Sequence, residues 1–518
     1  MEIERAYIHR KCEKGKAASQ VTIDEDYNLA DYKPDIVKVM KSGGCVRLDN
    51  VHVSDEHVYV KGTLCFDVLY RSDLPDKKMD CLTGSIPFEE MLCMDDVDEL
   101  DPVHATAEVE DITIEIINSR KLNVRALLML QATVQNTKKE QVITDIHSEH
   151  SLEMLRSEKN VLQLRGCKRD KYRMKQEIPL SANQPNVDQL LWKNVQLRGI
   201  ETKLSGDAVQ ISGEVILYLL YYAQGEERRL EWLEQSVPIR GSVPCEEYEE
   251  NLLYQIKVEQ GATELEVQAD YDGEDRVLSL DMTLELDISI WQEELLNVVD
   301  DAYSLERDIV PVYENATLEQ LLAKNYAKCR ISDRLTLEPE QNDILQICSC
   351  EGKVYIDESK VVEQGVQVEG SLEIELMYVT TDDALPVGTY KGTLGFEQFI
   401  EVPGATGDMS YELDTGLEQL TALLSDNGRV DIKAVVNLNL LAFSRQEIPR
   451  MLDLKDEDMD MERLQKRPGL VGYLVREQDT LWDIAKNYHT TISQLMEIND
   501  LEQPKIQKGD KLLIVKTV

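Results

Sequence analysis

The chain has 518 residues, enough for three or four domains, and carries 98 acidic against 56 basic side chains, for a formal net charge of −42. Nucleic acid and anionic membranes are disfavoured as partners, because both would repel so acidic a surface. Solubility explains the charge more economically than a basic partner does.

Membrane insertion and export are not expected. The longest apolar run, Val215 to Ala223, is too short to cross a bilayer and predicts a buried strand instead. The N-terminal residues contain no apolar stretch, so we expect no secretory signal. Ten scattered cysteines without a Cys-x-x-Cys pair indicate free thiols in a reducing cytosol. We therefore expect a cytoplasmic protein without a transmembrane segment.

The body of the chain repeats one pattern three times. Three strand-like segments, Val58–Tyr70, Val209–Tyr221 and Val366–Tyr378, each hold a glycine eight residues before the tyrosine. Further positions recur at constant offsets from these segments: Asp35, Asn186 and Asp343 before them, and Phe88, Ile239 and Phe396 after them. Such spacing indicates triplication.

Each repeat alternates apolar and polar residues with period two, which predicts half-buried antiparallel strands. The recurring glycine (Gly62, Gly213, Gly370) is expected to mark a bulge or a close backbone approach, not a ligand site. The leucines of residues 417–424 have helical spacing, but the matching segment of the first repeat, Val109–Ile116, alternates like a strand. We therefore predict a strand at 417–424.

The segments between repeats also match, Asp145–Ser148 against Asp301–Ser304. Short helices are predicted at Leu152–Leu155 and Ala316–Lys324, and an exposed acidic linker at Arg450–Pro468. The predicted domains are three repeats at residues 18–136, 172–292 and 328–444, the linker at 450–468, and a C-terminal module at 469–518.

The C-terminal module reads as strand, helix, helix and strand. Thr480 with Asp483, and Thr491 with Gln494, have the spacing of capping boxes. Asn499 is expected to end the second helix in a left-handed conformation. Trp482 is favoured as a core aromatic over a sugar-stacking residue, because so small a fold needs its apolar side chains for its core.

The run from Glu477-Gln-Asp-Thr-Leu-Trp to the closing strand resembles a LysM module, a unit that binds N-acetylglucosamine polymers or, in some lineages, proteins. The resemblance implies a ligand groove between two loops, with Gln478, Asp479, Thr480 and Leu481 facing Leu501, Pro504, Lys505 and Ile506. The family usually has glycine where this chain has Gln478. Because glycine permits close ligand approach and unusual φ, this departure argues against sugar binding but not against the fold.

The repeated unit resembles the SPOCS domain of bacterial spore-coat-associated proteins, through Pro34-Asp35-Ile36, the glycine strand and the closing strand. The whole arrangement is similar to the clostridial spore-coat morphogenetic proteins of the SipL type. The resemblance implies a mainly β fold: three antiparallel, sandwich-like domains and a small α+β (βααβ) LysM domain. It also implies a place on the mother-cell side of the forespore surface. There the protein would tether the coat basement layer, and its partner would be the coat ATPase of sporulation stage four.

No catalytic constellation is visible in the sequence. There is neither a phosphate loop nor a Gly-x-Ser-x-Gly elbow. His147 and His150 are three residues apart where a zinc-protease helix needs four, and solvated histidines explain them better. We expect a non-enzymatic scaffold without cofactor or metal, with peptidoglycan binding as the alternative function. Self-association through exposed edge strands remains open.

Overall fold

The structure, a computed structural model, describes residues 1–75, 77–225, 228–246, 252–336, 344–382, 385–425, 429–459 and 468–515. Antiparallel strands form nearly all of the described chain up to Glu457, and two helices occur in the C-terminal module. The predicted fold class is therefore confirmed: a mainly β protein of three repeats followed by a small βααβ unit.

Each repeat consists of six strands. Repeat 1 contains β1 (Glu2–Asn28), β2 (Ile36–Ser54), β3 (His57–Ser72), β4 (Met79–Cys93), β5 (Val103–Asn118) and β6 (Lys121–His147). Repeat 2 contains β7 (Leu152–Pro179), β8 (Val187–Ser205), β9 (Ala208–Ala223), β10 (Leu230–Pro244), β11 (Leu253–Ala269) and β12 (Asp275–Ser304). Repeat 3 contains β13 (Asp308–Thr336), β14 (Ile344–Val362), β15 (Gly365–Thr380), β16 (Val387–Glu401), β17 (Ser410–Ser425) and β18 (Arg429–Glu457). The module contains β19 (Leu470–Leu474), α1 (Leu481–Tyr488), α2 (Ile492–Ile498) and β20 (Lys511–Val515).

The strands of each repeat form two three-stranded sheets. Their order is β2-β3-β4 and β1-β6-β5 in repeat 1, with the corresponding orders in repeats 2 and 3. The two sheets enclose one apolar core, in which Leu64, Phe66, Val124 and Leu128 of repeat 1 are fully buried. Alternate residues of each strand face this core, as the period-two pattern predicts.

The recurring glycines allow a close approach, as predicted. Gly62 pairs in register with Phe88, and a Cβ on Gly62 would lie 2.6 Å from the Phe88 ring. Gly370 pairs with Phe396 in the same way, at 2.5 Å. The predicted bulge is also present, but it lies on the neighbouring strand opposite the glycine, between Leu48 and Asn50 in repeat 1.

The strand predictions hold in the repeats, and the helix predictions between them are wrong. Residues 417–424 lie in β17, and Val215–Ala223 is a buried part of β9. Leu152–Leu155 and Ala316–Lys324 lie in β7 and β13, because partner strands supply their backbone hydrogen bonds. Residues 450–457 of the predicted linker continue β18, and residues 460–467 lie outside the described residues.

The first and last strands of each repeat are unusually long, with 27 to 30 residues. In repeat 1, β6 pairs with β5 only as far as Val134 but pairs with β1 to His147. Beyond Val134, β1 and β6 therefore continue as a two-stranded ribbon. The long strands of repeats 2 and 3 form matching ribbons beyond Trp291 and Phe443.

The three ribbons pack against one another and share two buried clusters. These are Ile8, Val142, Val161, Val298 and Leu318, and then Ile143, Ile146, Val299, Ala302, Ile309, Met451 and Leu454. Each cluster contains side chains from all three repeats. The repeats therefore form one body instead of three separate beads.

A second meeting point of the repeats surrounds a buried lysine. The Lys41 Nζ of repeat 1 lies 2.8 Å from Glu375 and 3.4 Å from Glu351, both in repeat 3. The same ammonium lies 5.1 Å from the centre of the Trp192 ring of repeat 2. One buried charge thus links all three repeats, since leaving it unpaired would be costly.

We predict that Gly370→Ala destabilises the third repeat by about 1–3 kcal/mol, because the new methyl group collides with the Phe396 ring and with a backbone oxygen. The matched control is Gly395→Ala on the next strand, where a Cβ meets nothing within 4 Å. Hydrogen exchange of the β15 and β16 amides as a function of urea reports local stability. Equal protection in the two variants would contradict the prediction.

Candidate functional site

The C-terminal module has a small core of its own. Leu481, Ile484, Leu495, Leu512 and Ile514 are buried in one cluster. Both predicted caps are present, but only the second is a complete capping box, formed by Thr491 with Gln494. At the first, the Thr480 hydroxyl accepts the Asp483 N–H, and the Asp483 carboxylate accepts the Thr480 hydroxyl instead of a backbone N–H. The local sequence thus determines both helix starts.

The predicted left-handed helix end at Asn499 is wrong. Asn499 has φ of −106°, and the left-handed residue is Asp500, one position later, at +51°. The Asn499 side chain is used differently: its amide donates to the backbone oxygens of Leu495 and Leu513 at 2.8 Å, and its oxygen accepts the Leu513 N–H. This side chain ties α2 to β20.

The module docks on the ribbon of repeat 2 through α1. The Trp482 Nε1 donates to the Asp301 carboxylate at 2.7 Å, and the Lys486 Nζ reaches both carboxylate oxygens at 2.7 and 2.8 Å. The Tyr303 hydroxyl donates to the Thr490 carbonyl at 2.8 Å, and its ring packs edge-on against Trp482. Trp482 is buried, as the core interpretation predicted, but Tyr303 and Asp301 of the ribbon contribute to its burial together with the core of the module.

Asp301 belongs to a set of three equivalent aspartates, one near the end of each ribbon. These aspartates are Asp145 in repeat 1, Asp301 in repeat 2 and Asp453 in repeat 3. In each ribbon the residue directly before the aspartate forms a β-bulge. Asp145 is paired with Arg156 of the next ribbon, and Asp453 with Arg5, at 3.6 Å. An arginine from the neighbouring ribbon therefore neutralises two of the three carboxylates.

The third carboxylate lacks that arginine. At the corresponding position stands Tyr313, whose hydroxyl donates to Asp301 at 2.7 Å but brings no positive charge. Lys486 of the module supplies the missing cation. The difference between tyrosine and arginine explains why the module docks at this ribbon end.

The docking contact keeps Asp301 ionised. Burial works against ionisation, but the three side-chain donors Lys486, Trp482 and Tyr313 outweigh it and hold the pKa of this carboxyl below its usual range. A lowered pKa contributes stability above the unfolded value, near 4, and loses it as the pH falls through the folded value. Docking should therefore weaken in acid.

The first loop of the predicted groove has an unusual backbone. Gln478 has φ of +73°, a left-handed conformation that glycine adopts without strain. The Asp479 carboxylate accepts the Arg476 N–H and the Tyr473 hydroxyl, both at 2.7 Å. The Thr480 hydroxyl is engaged with Asp483 as the helix cap. Two of the three polar side chains of this loop therefore serve the fold.

The structure brings the apolar groove residues together. Leu481 is buried in the module core, and Leu501 and Ile506 pack against the same cluster. Gln478, Thr480, Pro504 and Lys505 are exposed. The groove thus offers an apolar floor, one free amide and one cation, and its binding role stays a prediction.

None of the eight predicted groove residues is aromatic. Tyr473 and Tyr488 meet edge-on, with ring centres 5.7 Å apart, beside a cavity of about 420 Å³. None of the eight predicted groove residues lines this cavity. Tyr473 contacts the predicted groove through its hydroxyl, which donates to Asp479, while its ring packs against Tyr488.

The two histidines considered for metal binding point to different partners. His147 lies 3.0 Å from Glu4, and His150 lies 2.9 Å from Glu306. Within the described ranges, Glu4, Asp145 and His147 are close enough to hold an ion. Arg156 already occupies the Asp145 carboxylate, however, so these residues are better explained as ion pairs.

Comparison with protein families assigns both parts of the chain. The model described as SipL, SPOCS domain, matches residues 35–117, 186–268 and 343–425, and the LysM domain model matches residues 473–515. The chain belongs to the family of SPOCS-repeat proteins with a C-terminal LysM domain. No curated protein and no solved structure gives a match.

The three SPOCS matches begin at Asp35, Asn186 and Asp343, the recurring positions in the sequence. Each match spans the four inner strands of its repeat, β2–β5 in the first. The long strands that build the ribbons lie outside the matches. Within the described residues, no helix has the length and apolar character needed to span a membrane.

Sequence reasoning missed the docking site of the LysM domain. One signal was present: the segment around Asp301 recurs around Asp145, which indicates a shared role at the ribbon ends. The substitution of Tyr313 for arginine was not visible, because Tyr313 lies outside the recurring motifs.

We predict that Asp301→Asn weakens docking of the LysM domain by about 1–3 kcal/mol, because Lys486 loses its counter-ion. The ¹⁹F resonance of Trp482 in fluorotryptophan-labelled protein reports the docked state. The control is Asp300→Asn, which makes the same change at the neighbouring carboxylate, 3.8 Å from Lys159 of the ribbon. An unchanged Trp482 resonance in Asp301→Asn would refute the role of this contact.

Tyr313→Arg should also release the LysM domain, because an arginine there competes with Lys486 for Asp301, as arginine does at the two other ribbon ends. Tyr313→Phe removes one hydrogen bond without adding a charge and should retain docking. The same ¹⁹F signal distinguishes the two variants. Equal spectra would show that charge at this position does not control docking.

Proposed function

We propose that this protein is a non-enzymatic scaffold of the spore envelope, which tethers the coat basement layer to the forespore surface through protein–protein contacts in the mother-cell cytoplasm. The SPOCS and LysM matches fit a sporulation protein with a LysM module of the peptidoglycan-binding type. The observation that carries the proposal is the fixed LysM domain. It is held by Asp301 on a three-repeat body, with its groove loops exposed.

The body has the properties of a rigid support. Two clusters shared by the ribbons and the buried charge of Lys41 connect all three repeats. A protein built this way presents its LysM domain at a constant position, which suits a tether between two layers. SPOCS and LysM domains are not known to be catalytic, and we propose no enzymatic activity, cofactor or metal.

The groove favours a protein ligand. Gln478 occupies a left-handed backbone position where glycine would let a sugar approach, and the polar groups of Asp479 and Thr480 are already engaged. What remains is the apolar surface around Ile506 beside the Lys505 ammonium. Such a mixture suits an apolar and acidic patch on a protein surface. We propose the coat ATPase of sporulation stage four as that partner.

Peptidoglycan is the second candidate ligand. The observation in its favour is the LysM match itself, which covers residues 473–515. In that case the protein would dock on cell wall or cortex, and the SPOCS repeats would hold the protein partners.

We predict that the full-length protein binds the purified coat ATPase and is not retained on purified sacculi. Lys505→Glu should weaken ATPase binding about tenfold by reversing a groove charge. Lys511→Glu makes the same charge change on β20, outside the groove, and should bind like the unaltered protein. Titration on an immobilised partner measures both. Retention on sacculi without ATPase binding would select the peptidoglycan alternative.

A further inference from the structure

The second repeat differs from the other two where its two sheets meet. In repeat 1, β2 approaches β5 so closely that a Cβ on Gly44 would lie 2.9 Å from the Ile112 side chain. In repeat 3, Gly352 of β14 has the same relation to Leu420 of β17, at 2.6 Å. A glycine opposite a large apolar side chain closes this side of both sandwiches.

Repeat 2 has neither partner of that contact. The SPOCS matches of repeats 1 and 2 begin 151 residues apart, at 35 and 186. This offset places Val195 where repeat 1 has Gly44, and Thr263 where it has Ile112. Gln260 likewise stands in place of Val109. A branched side chain and two polar side chains therefore replace the packed contact.

Side chains bridge the resulting gap between β8 and β11. The Lys193 Nζ donates to the Leu265 carbonyl at 3.0 Å, and the Gln260 Nε2 to the Val195 carbonyl at 3.4 Å. Beyond these bridges the sheets separate, and a cleft of about 1180 Å³ opens against repeat 3.

Three sheet edges form the walls of the cleft. Residues 200–203 of β8, 254–256 of β11 and 414–417 of β17 line it, and each of these strands is the outer strand of its sheet. An outer strand directs backbone N–H and C=O groups away from its only neighbour, where an added strand can pair with them. Two buried amide oxygens in the wall, Gln255 Oε1 and Asn437 Oδ1, accept no hydrogen bond from the described residues.

The lining is basic, although the chain as a whole is strongly acidic. Four basic and two acidic side chains line the cleft: Lys203, Arg240, Lys324, Lys328, Glu201 and Asp414. Lys328 is paired with Glu418, and Lys324 lies over the Tyr254 ring. Lys203 and Arg240 are exposed at the cleft. An acidic ligand fits this lining by charge.

We propose that the cleft of repeat 2 binds an extended, acidic segment of another protein, which adds as a β-strand to the edges of β8 and β11. The extended segments of this chain that the structure describes are already paired in sheets, so the occupant is assigned to a separate protein. This site is independent of the LysM groove and gives the second repeat a partner of its own.

Labelled octapeptides titrated into the full-length protein test the proposal. We expect an alternating Glu-Val peptide to bind at least tenfold more tightly than two others. One is the same peptide N-methylated at alternate residues, which cannot donate the ladder hydrogen bonds, and the other is an alternating Lys-Val peptide. Equal binding of the three, or binding of none, would overturn the proposal.

Variants locate the binding to the cleft. Thr263→Ile restores the apolar side chain of repeats 1 and 3 and should reduce binding of the Glu-Val peptide at least tenfold, whereas Thr263→Ser should retain it. Lys203→Glu changes an exposed residue without touching the core and should also weaken binding. Unchanged binding in folded Thr263→Ile and Lys203→Glu would place the peptide elsewhere. A dimer of the protein that the peptide dissociates would make a second copy the occupant and overturn the choice of partner.

Discussion

A two-stranded β-ribbon cannot bury a face by itself, and this constraint governs the assembly of the protein. Each repeat extends such a ribbon beyond its sandwich, where the third strand of the sheet has ended. Isolated ribbons of this kind are marginally stable in water. Packing three of them together buries apolar side chains from every repeat, among them Ile143, Val299 and Met451. The folding of each ribbon therefore depends on the presence of the other two.

The repeats are nearly equivalent, and their functional features lie where that equivalence fails. The ribbon ends share an aspartate and its partner position, but only Tyr313 leaves its aspartate without a cation, and there the LysM domain docks. Repeats 1 and 3 share a closing contact between their two sheets, but repeat 2 has Val195 and Thr263 at these positions, and the cleft lies farther along the same strands. The repeats thus share one frame, and the two surfaces with a candidate function lie at positions where one repeat differs from the other two.

Periodicity and spacing in the sequence were enough to predict the strands of the repeats and the LysM helices. The constant distance from Gly370 to Phe396 reflects a cross-strand pair, a contact within one sheet that sequence offsets preserve. The leucines around Leu318 look helical when taken alone, yet pairing with β18 overrides that local preference. The contact of Asp301 with Lys486 joins residues 185 positions apart and depends on the packing of two domains, so no local pattern reveals it.

The docking contact also decides how the LysM domain can be studied. Asp301 is held ionised by groups that include Trp482 and Lys486, and the Tyr303 ring packs on the same helix. Removing residues 469–518 would leave this carboxylate with the Tyr313 hydroxyl and the Ala302 backbone N–H but no cation, and would uncover an aromatic ring on the ribbon end. A truncated body is therefore not a neutral reference, and an isolated LysM domain would expose Trp482, which the ribbon now covers. Substitutions in the predicted groove of the full-length chain separate ligand binding from docking, because Lys505 is exposed and the docking contact is made by Trp482 and Lys486 of α1.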